Sequence, residues 1–250
     1  MNWFGDLNPI LQALIATTFT WGITLLGALM VCFFKEVNKK ALNTILGFSA
    51  GVMIAASFWS LLLPSIELSE ELGYIAWGLP ALGFIFGGLF VLLSDKFLDK
   101  TLSDKNSIKK DSLKRSILLV SAITLHNIPE GMSIGVAFGG ISSGVSGMTL
   151  IGAIMLAVGI GIQNFPEGAA VSLPLRKEGF SRKKSFFIGQ ASALVEPISA
   201  VIGVILVLAV RSILPILLSF AAGAMITVAA RELLPESISE NKNLSTLGLI

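Results

Sequence analysis

The chain has 250 residues, of which 54% are hydrophobic and only 14% charged. A soluble domain carries about 25% charged residues, so this composition excludes an ordinary soluble domain and makes lipid the expected solvent. The net charge of +2 decides little, and the single cysteine, Cys32, excludes an internal disulfide and a CxxC metal site.

The N-terminus, MNWFGDLNPI, has no basic n-region. The apolar run after it has the length of a full span and no small-residue cleavage site, so it is read as a retained helix rather than a signal peptide. Seven apolar stretches reach the ~20 residues that a bilayer span requires. They cover 9–34, 42–66, 74–94, 115–139, 147–174, 184–209 and 211–235, and an eighth begins near Thr246, where the sequence stops at TLGLI. The expected architecture is all-α, a polytopic transmembrane helical bundle forming a single domain over 1–250. Seven of its spans are full and the eighth is only begun.

Charge placement orients these spans. Lys35, Lys39 and Lys40 follow the first. Lys96, Lys100, Lys105, Lys109, Lys110, Lys114 and Arg115 lie between the third and fourth. Arg176, Lys177, Arg182, Lys183 and Lys184 lie between the fifth and sixth, and Arg231 and Lys242 stand at or after the seventh. If the spans alternate, all of these fall on one side and only Arg211 on the other. The positive-inside rule then places the N-terminus outside and the basic connections in the cytoplasm; the expected location is the cell inner (plasma) membrane. Segment 95–115, DKFLDKTLSDKNSIKKDSLKR, is the one long hydrophilic connection and reads as a solvated cytoplasmic loop.

Two internal echoes follow. His126-Asn127-Ile128-Pro129-Glu130-Gly131 in the fourth span recurs as Gln163-Asn164-Phe165-Pro166-Glu167-Gly168 in the fifth. Phe48, Gly51 and Met53 of the second span recur as Phe220, Gly223 and Met225 of the seventh. The partners of each echo run in opposite directions. The chain therefore reads as two inverted three-helix units flanking the pair four–five, and in inverted-repeat transporters the site lies near the midplane between repeats.

Glu130, Glu167 and Glu196 sit inside apolar spans. Facing lipid, each would cost about 3 kcal/mol, or on the order of 9 kcal/mol together. None has a basic residue at comparable depth in its own span, so the bundle interior, water or a cation must receive them. His126, the only histidine, precedes Glu130 by four residues and shares its helix face. With Gln163 and Glu167 as counterparts, two carboxylates, an imidazole and an amide oxygen converge. That mixed N/O set suits Zn²⁺, Fe²⁺, Mn²⁺ or Cd²⁺.

Asn127 and Asn164, ~100° further round their helices, either bracket a second, weaker cation site or bridge helices by hydrogen bonds. Pro129 and Pro166 free the carbonyls of Leu125 and Ile162, and Glu196-Pro197 repeats the carboxylate–proline theme. Met53 reads first as packing, as methionine in an apolar helix usually does, and only second as a soft ligand; Ser57, Ser60, Gln190 and Ser192 read as path lining or helix bridges. Arg231-Glu232 reads as a local pair or an exit-gate element.

These residues resemble the ZIP (Zrt/Irt-like) family of metal transporters, more closely its bacterial GufA-like branch. The span order, the outside N-terminus, the long third loop and the HNxPEG and QNxPEG motifs in successive spans carry the resemblance. It implies a ZIP fold with a 3+2+3 inverted repeat, often a homodimer, and a metal path through spans two, four, five and seven. It implies a primary site at His126, Glu130, Gln163 and Glu167 with Met53. It also implies a second site at Asn127, Asn164 and Glu196, sharing Glu130 and Glu167. Some relatives carry Asp at the place of Asn164 or His at that of Gln163, so the second site is expected to bind metal more weakly here. The metal is transported substrate; no cofactor, enzymatic activity or nucleic-acid partner is expected. The alternatives are a passive metal-ion channel and an intramembrane metalloenzyme. The latter is disfavoured because no HExxH occurs.

Overall fold

The computed structural model describes residues 2–34, 39–102, 108–145, 147–238 and 242–250. Lys35 and Lys105 lie outside the described residues, as do the side chains of Lys39, Lys40, Lys109, Lys110, Lys114, Arg115 and Arg211.

A short helix, α1 (Asn2–Gly5), leads into α2 (Pro9–Phe33), the first span. The start of α2 is written in its sequence: the Asn8 side chain accepts the Ile10 N–H at 2.8 Å, and Pro9 takes a position where no N–H is needed. The second span joins α3 (Lys39–Ala56) to α4 (Leu63–Glu71) through a π-helical turn, Ser57–Leu62. α5 (Gly78–Leu102) is the third span, α6 (Ile108–Ser142) takes the place of the fourth, and α7 (Leu150–Lys177) is the fifth. The sixth is broken into α8 (Arg182–Ala191) and α9 (Val195–Ala209). The seventh joins α10 (Leu214–Val228) to α11 (Leu234–Ile238) through a second π-helical turn, Ala229–Leu233, and α12 (Lys242–Leu249) follows. Six helical segments among the described residues are long and apolar enough to cross a membrane.

α5 runs on to Leu102 and α6 starts at Ile108, so helix extends well into the expected connection 95–115 from both ends. Pro129 and Pro166 are accommodated within unbroken helices. The break falls in the sixth span instead, at 192–194, just before Glu196. Pro197 accounts for it, because its ring nitrogen cannot bond the Ala193 carbonyl, which accepts the Glu196 N–H at 3.1 Å.

The bundle turns its polarity inward. Thr17, Thr20, Ser49, Ser57, Ser65 and Ser219 are buried, whereas Phe86, Leu93, Phe97, Ile198 and Ile205 are more than half exposed on its outer surface. In water such a surface would aggregate; in hydrocarbon it is solvated. The most extensive packing pairs α2 with α7, α6 with α9, α5 with α10, and α3 with α12. Glycine makes each approach close. A Cβ at Gly27 would strike the Phe165 carbonyl, at Gly135 that of Ala200, at Gly223 that of Phe84, and at Gly51 that of Leu249. Exchanging α2 with α9, α3 with α10, α5 with α12 and α6 with α7 carries each of these pairings onto another.

Candidate metal centre

Each motif helix packs most extensively on one partner, and its motif glycine makes room for that partner's backbone. A Cβ on Gly131 would meet the Glu196 carbonyl of α9, and one on Gly168 the Thr24 carbonyl of α2. The glycine of Pro-Glu-Gly thus brings a neighbouring helix up beside the preceding glutamate. The asparagines use the same partners. Asn127 Nδ2 donates to the Ser192 carbonyl at 3.1 Å, and Asn164 Nδ2 reaches the Thr20 carbonyl at 3.4 Å. Thr20 and Ser192 have the same sequence separation as Phe48 and Phe220, so the duplication extends to these bonds.

Glu130, Glu167 and Glu196 are all buried, Glu196 completely. Glu130 is within electrostatic reach of Glu167 and Glu196, and Glu167 of Glu196 and Glu232. Three carboxylates from α6, α7 and α9 therefore share one interior region. Gln163 donates through Nε2 to Glu130 Oε1. Glu196 accepts from the Thr20 hydroxyl at one oxygen and from Asn164 Nδ2, at 2.8 Å, at the other. Its place in the first turn of α9 adds the favourable end of the helix dipole.

Four buried oxygens of the two motifs are left without a hydrogen-bond donor: Asn127 Oδ1, Glu130 Oε2, Gln163 Oε1 and Asn164 Oδ1. Buried acceptors are rarely left bare. Four come from one pair of motifs, and oxygen donors of this kind suit a divalent cation.

A second group lies toward the end of the bundle that carries Lys96, Arg176 and Lys177. His126, 5% exposed, turns its Nε2 to Glu232 Oε1 at 3.2 Å and to Asp95 Oδ1 at 3.8 Å. Asp95, His126 and Glu232 each offer a ligand atom, all within 4.8 Å of one another. Glu167, in reach of Glu130 on one side and Glu232 on the other, joins the two groups electrostatically.

Of the expected site residues, Glu130, Gln163, Glu167, Asn164 and Glu196 come together, and Asn127 is bonded to the sixth span beside them. His126 faces Asp95 and Glu232. Met53 is buried in the main apolar core with Met225. Sequence reasoning missed Thr20, whose signal would have been a polar residue in an apolar span one turn from Thr24 and Thr17. It also missed Asp95, which was assigned to the solvated loop. Arg231 lies with its Nη2 3.8 Å from Asp95 Oδ2.

The family profile described as ZIP Zinc transporter matches residues 101–249. Zinc transporter ZIP11 of Xenopus tropicalis is 37% identical over 304 aligned positions, covering 92% of this chain and 90% of that protein. Zinc transporter GufA of Myxococcus xanthus is 32% identical over 229 positions, covering 90% and 87%. Zinc transporter ZupT of Chlorobaculum parvum is 36% identical over 261 positions, covering 96% and 93%.

Proposed function

The chain belongs to the ZIP family of zinc transporters, and from that premise we propose that it carries zinc into the cytoplasm along a path between spans four and five. The observation that carries this reading is the burial of Glu130, Glu167 and Glu196 in one region with four donor-less motif oxygens around them. The protein is a transmembrane zinc transporter. Fe²⁺, Mn²⁺ and Cd²⁺ suit the same mixed ligand set.

In this reading the ion sheds water among Glu130, Gln163 and Glu167, with Met53 contributing a soft ligand from the second span. Asn127, Asn164 and Glu196 form a weaker second position that shares Glu130 and Glu167. His126 reaches both groups in turn and hands the ion toward Asp95 and Glu232, from which it leaves at the basic face. The uneven distribution of Lys and Arg supports an outside N-terminus and a basic cytoplasmic face, and this reading places the protein in the plasma membrane. The matched helix pairings and glycine contacts support the 3+2+3 inverted repeat. The chain acts on zinc as cargo rather than as an enzyme, and a homodimer is the assembly this reading includes.

Zinc flux into proteoliposomes tests the path. Saturable uptake is expected in the wild type. In Glu130→Ala and Glu167→Ala it should fall by more than the roughly tenfold that loss of an outer-shell partner costs. Uptake unchanged in both variants would sink the site, and non-saturable flux through the wild type would mark a passive channel.

A further inference from the structure

The seventh span places two oppositely charged neighbours at the edge of the second group. Arg231 and Glu232 lie on the π-helical turn Ala229–Leu233, which closes with the Leu234 N–H bonding back to the Ala229 carbonyl. A π turn packs more residues into each turn, so consecutive side chains diverge less than in an α-helix. Glu232 thereby faces His126, while Arg231 reaches the carboxylate on the far side of the cluster. Asp95 is divided between them: Oδ1 lies 3.8 Å from His126 Nε2, and Oδ2 lies 3.8 Å from Arg231 Nη2.

A divalent ion held by Asp95, His126 and Glu232 would therefore stand a few ångströms from a permanent positive charge. The guanidinium cannot lose its proton in a protein, so that charge is always present. Its side chain is 47% exposed, which leaves it room to swing between Asp95 and water. A terminal site on a transport path must bind well enough to receive the ion and weakly enough to let it go.

We propose that Arg231 is a tethered cation that competes with the metal for Asp95 and lowers the affinity of the last cluster, so that zinc is released rather than retained. When the ion has left, the guanidinium balances the carboxylates that held it. When the ion arrives, the two positive charges oppose each other and Asp95 is shared. Arg231 is thus a positioning and release residue, and the inference rests on the transport path proposed above.

The test uses the full-length protein purified in detergent and reconstituted. Zinc binding is measured by equilibrium dialysis against buffered free zinc, and uptake with a lumenal zinc indicator. Arg231→Gln is expected to tighten binding at one site about threefold to fivefold and to lower maximal uptake severalfold. Arg231→Lys, which keeps the charge, is expected to stay close to wild type in both. Adding Asp95→Asn to Arg231→Gln should abolish the gained affinity.

Unchanged binding and flux in Arg231→Gln would overturn the proposal. So would an Arg231→Lys that behaves like Arg231→Gln, because a structural pair needing the guanidinium fork would produce that result. Failure of the underlying path looks different. It is wild-type protein without saturable uptake, or full uptake in Glu130→Ala, whatever Arg231 variants do to binding in detergent.

Discussion

Glu196 shows most directly how single residues set up this interior. A carboxylate with no solvent exposure is tolerated because both oxygens accept donors, one from Thr20 and one from Asn164. Thr20→Val removes the donor and keeps the shape. It should cost about 1–3 kcal/mol, read as a lower unfolding midpoint in detergent. Asn164→Asp sets a second carboxylate against Glu196. In metal-free protein that should be destabilising, and with zinc or cadmium present it should fill the second position. Elemental analysis of dialysed protein should then find one more ion per chain than in the wild type. An unchanged stoichiometry would remove Asn164 from the proposed second site. The carboxylates themselves were legible from sequence because glutamate in an apolar span is costly. Thr20 was not, because a threonine in such a span can satisfy its hydroxyl by bonding a carbonyl one turn back, as Thr17 does with Ala13.

Among the elements, the sixth span has the least regular path. Its break at 192–194 exposes the Ser192 carbonyl to Asn127 and puts Glu196 in a first helical turn. Matched π-helical turns occur in the second and seventh spans, each followed at once by Leu-Pro: Leu63-Pro64 and Leu234-Pro235. The proline removes an N–H from the ladder, and the wider turn absorbs the change. Helix approach is governed by glycine, which gives a prediction within one helix. Gly27→Ala drives a Cβ into the Phe165 carbonyl, whereas Gly22→Ala meets nothing within 4 Å. The first should cost about 1–3 kcal/mol through displacement of α2 from α7. The second should be neutral or slightly stabilising, as alanine favours helix by about 1 kcal/mol. Thermal unfolding of the two variants in one detergent separates them, and equal losses would contradict the packing described.

For the whole molecule the testable property is orientation. In a Cys32→Ser background, Glu70→Cys should react with a membrane-impermeant maleimide on intact cells. Lys100→Cys should react only after permeabilisation, and the reverse pattern would invert the proposed topology. The span succession, the paired motifs and the clustering of basic residues are one-dimensional properties, so the amino-acid sequence alone was enough to determine a polytopic helical bundle with a duplicated glutamate motif. Which helices touch was not written there, because small residues permit many close packings and only their joint satisfaction selects one. The tertiary structure decided that α9 lies against α6 and α2 against α7, which delivers Thr20 and the Ser192 carbonyl to the asparagines. It also decided that α5 stays helical past Phe97. That continuation carries Asp95 out of an expected loop to meet His126 and Glu232, three residues from three different helices that no local pattern links.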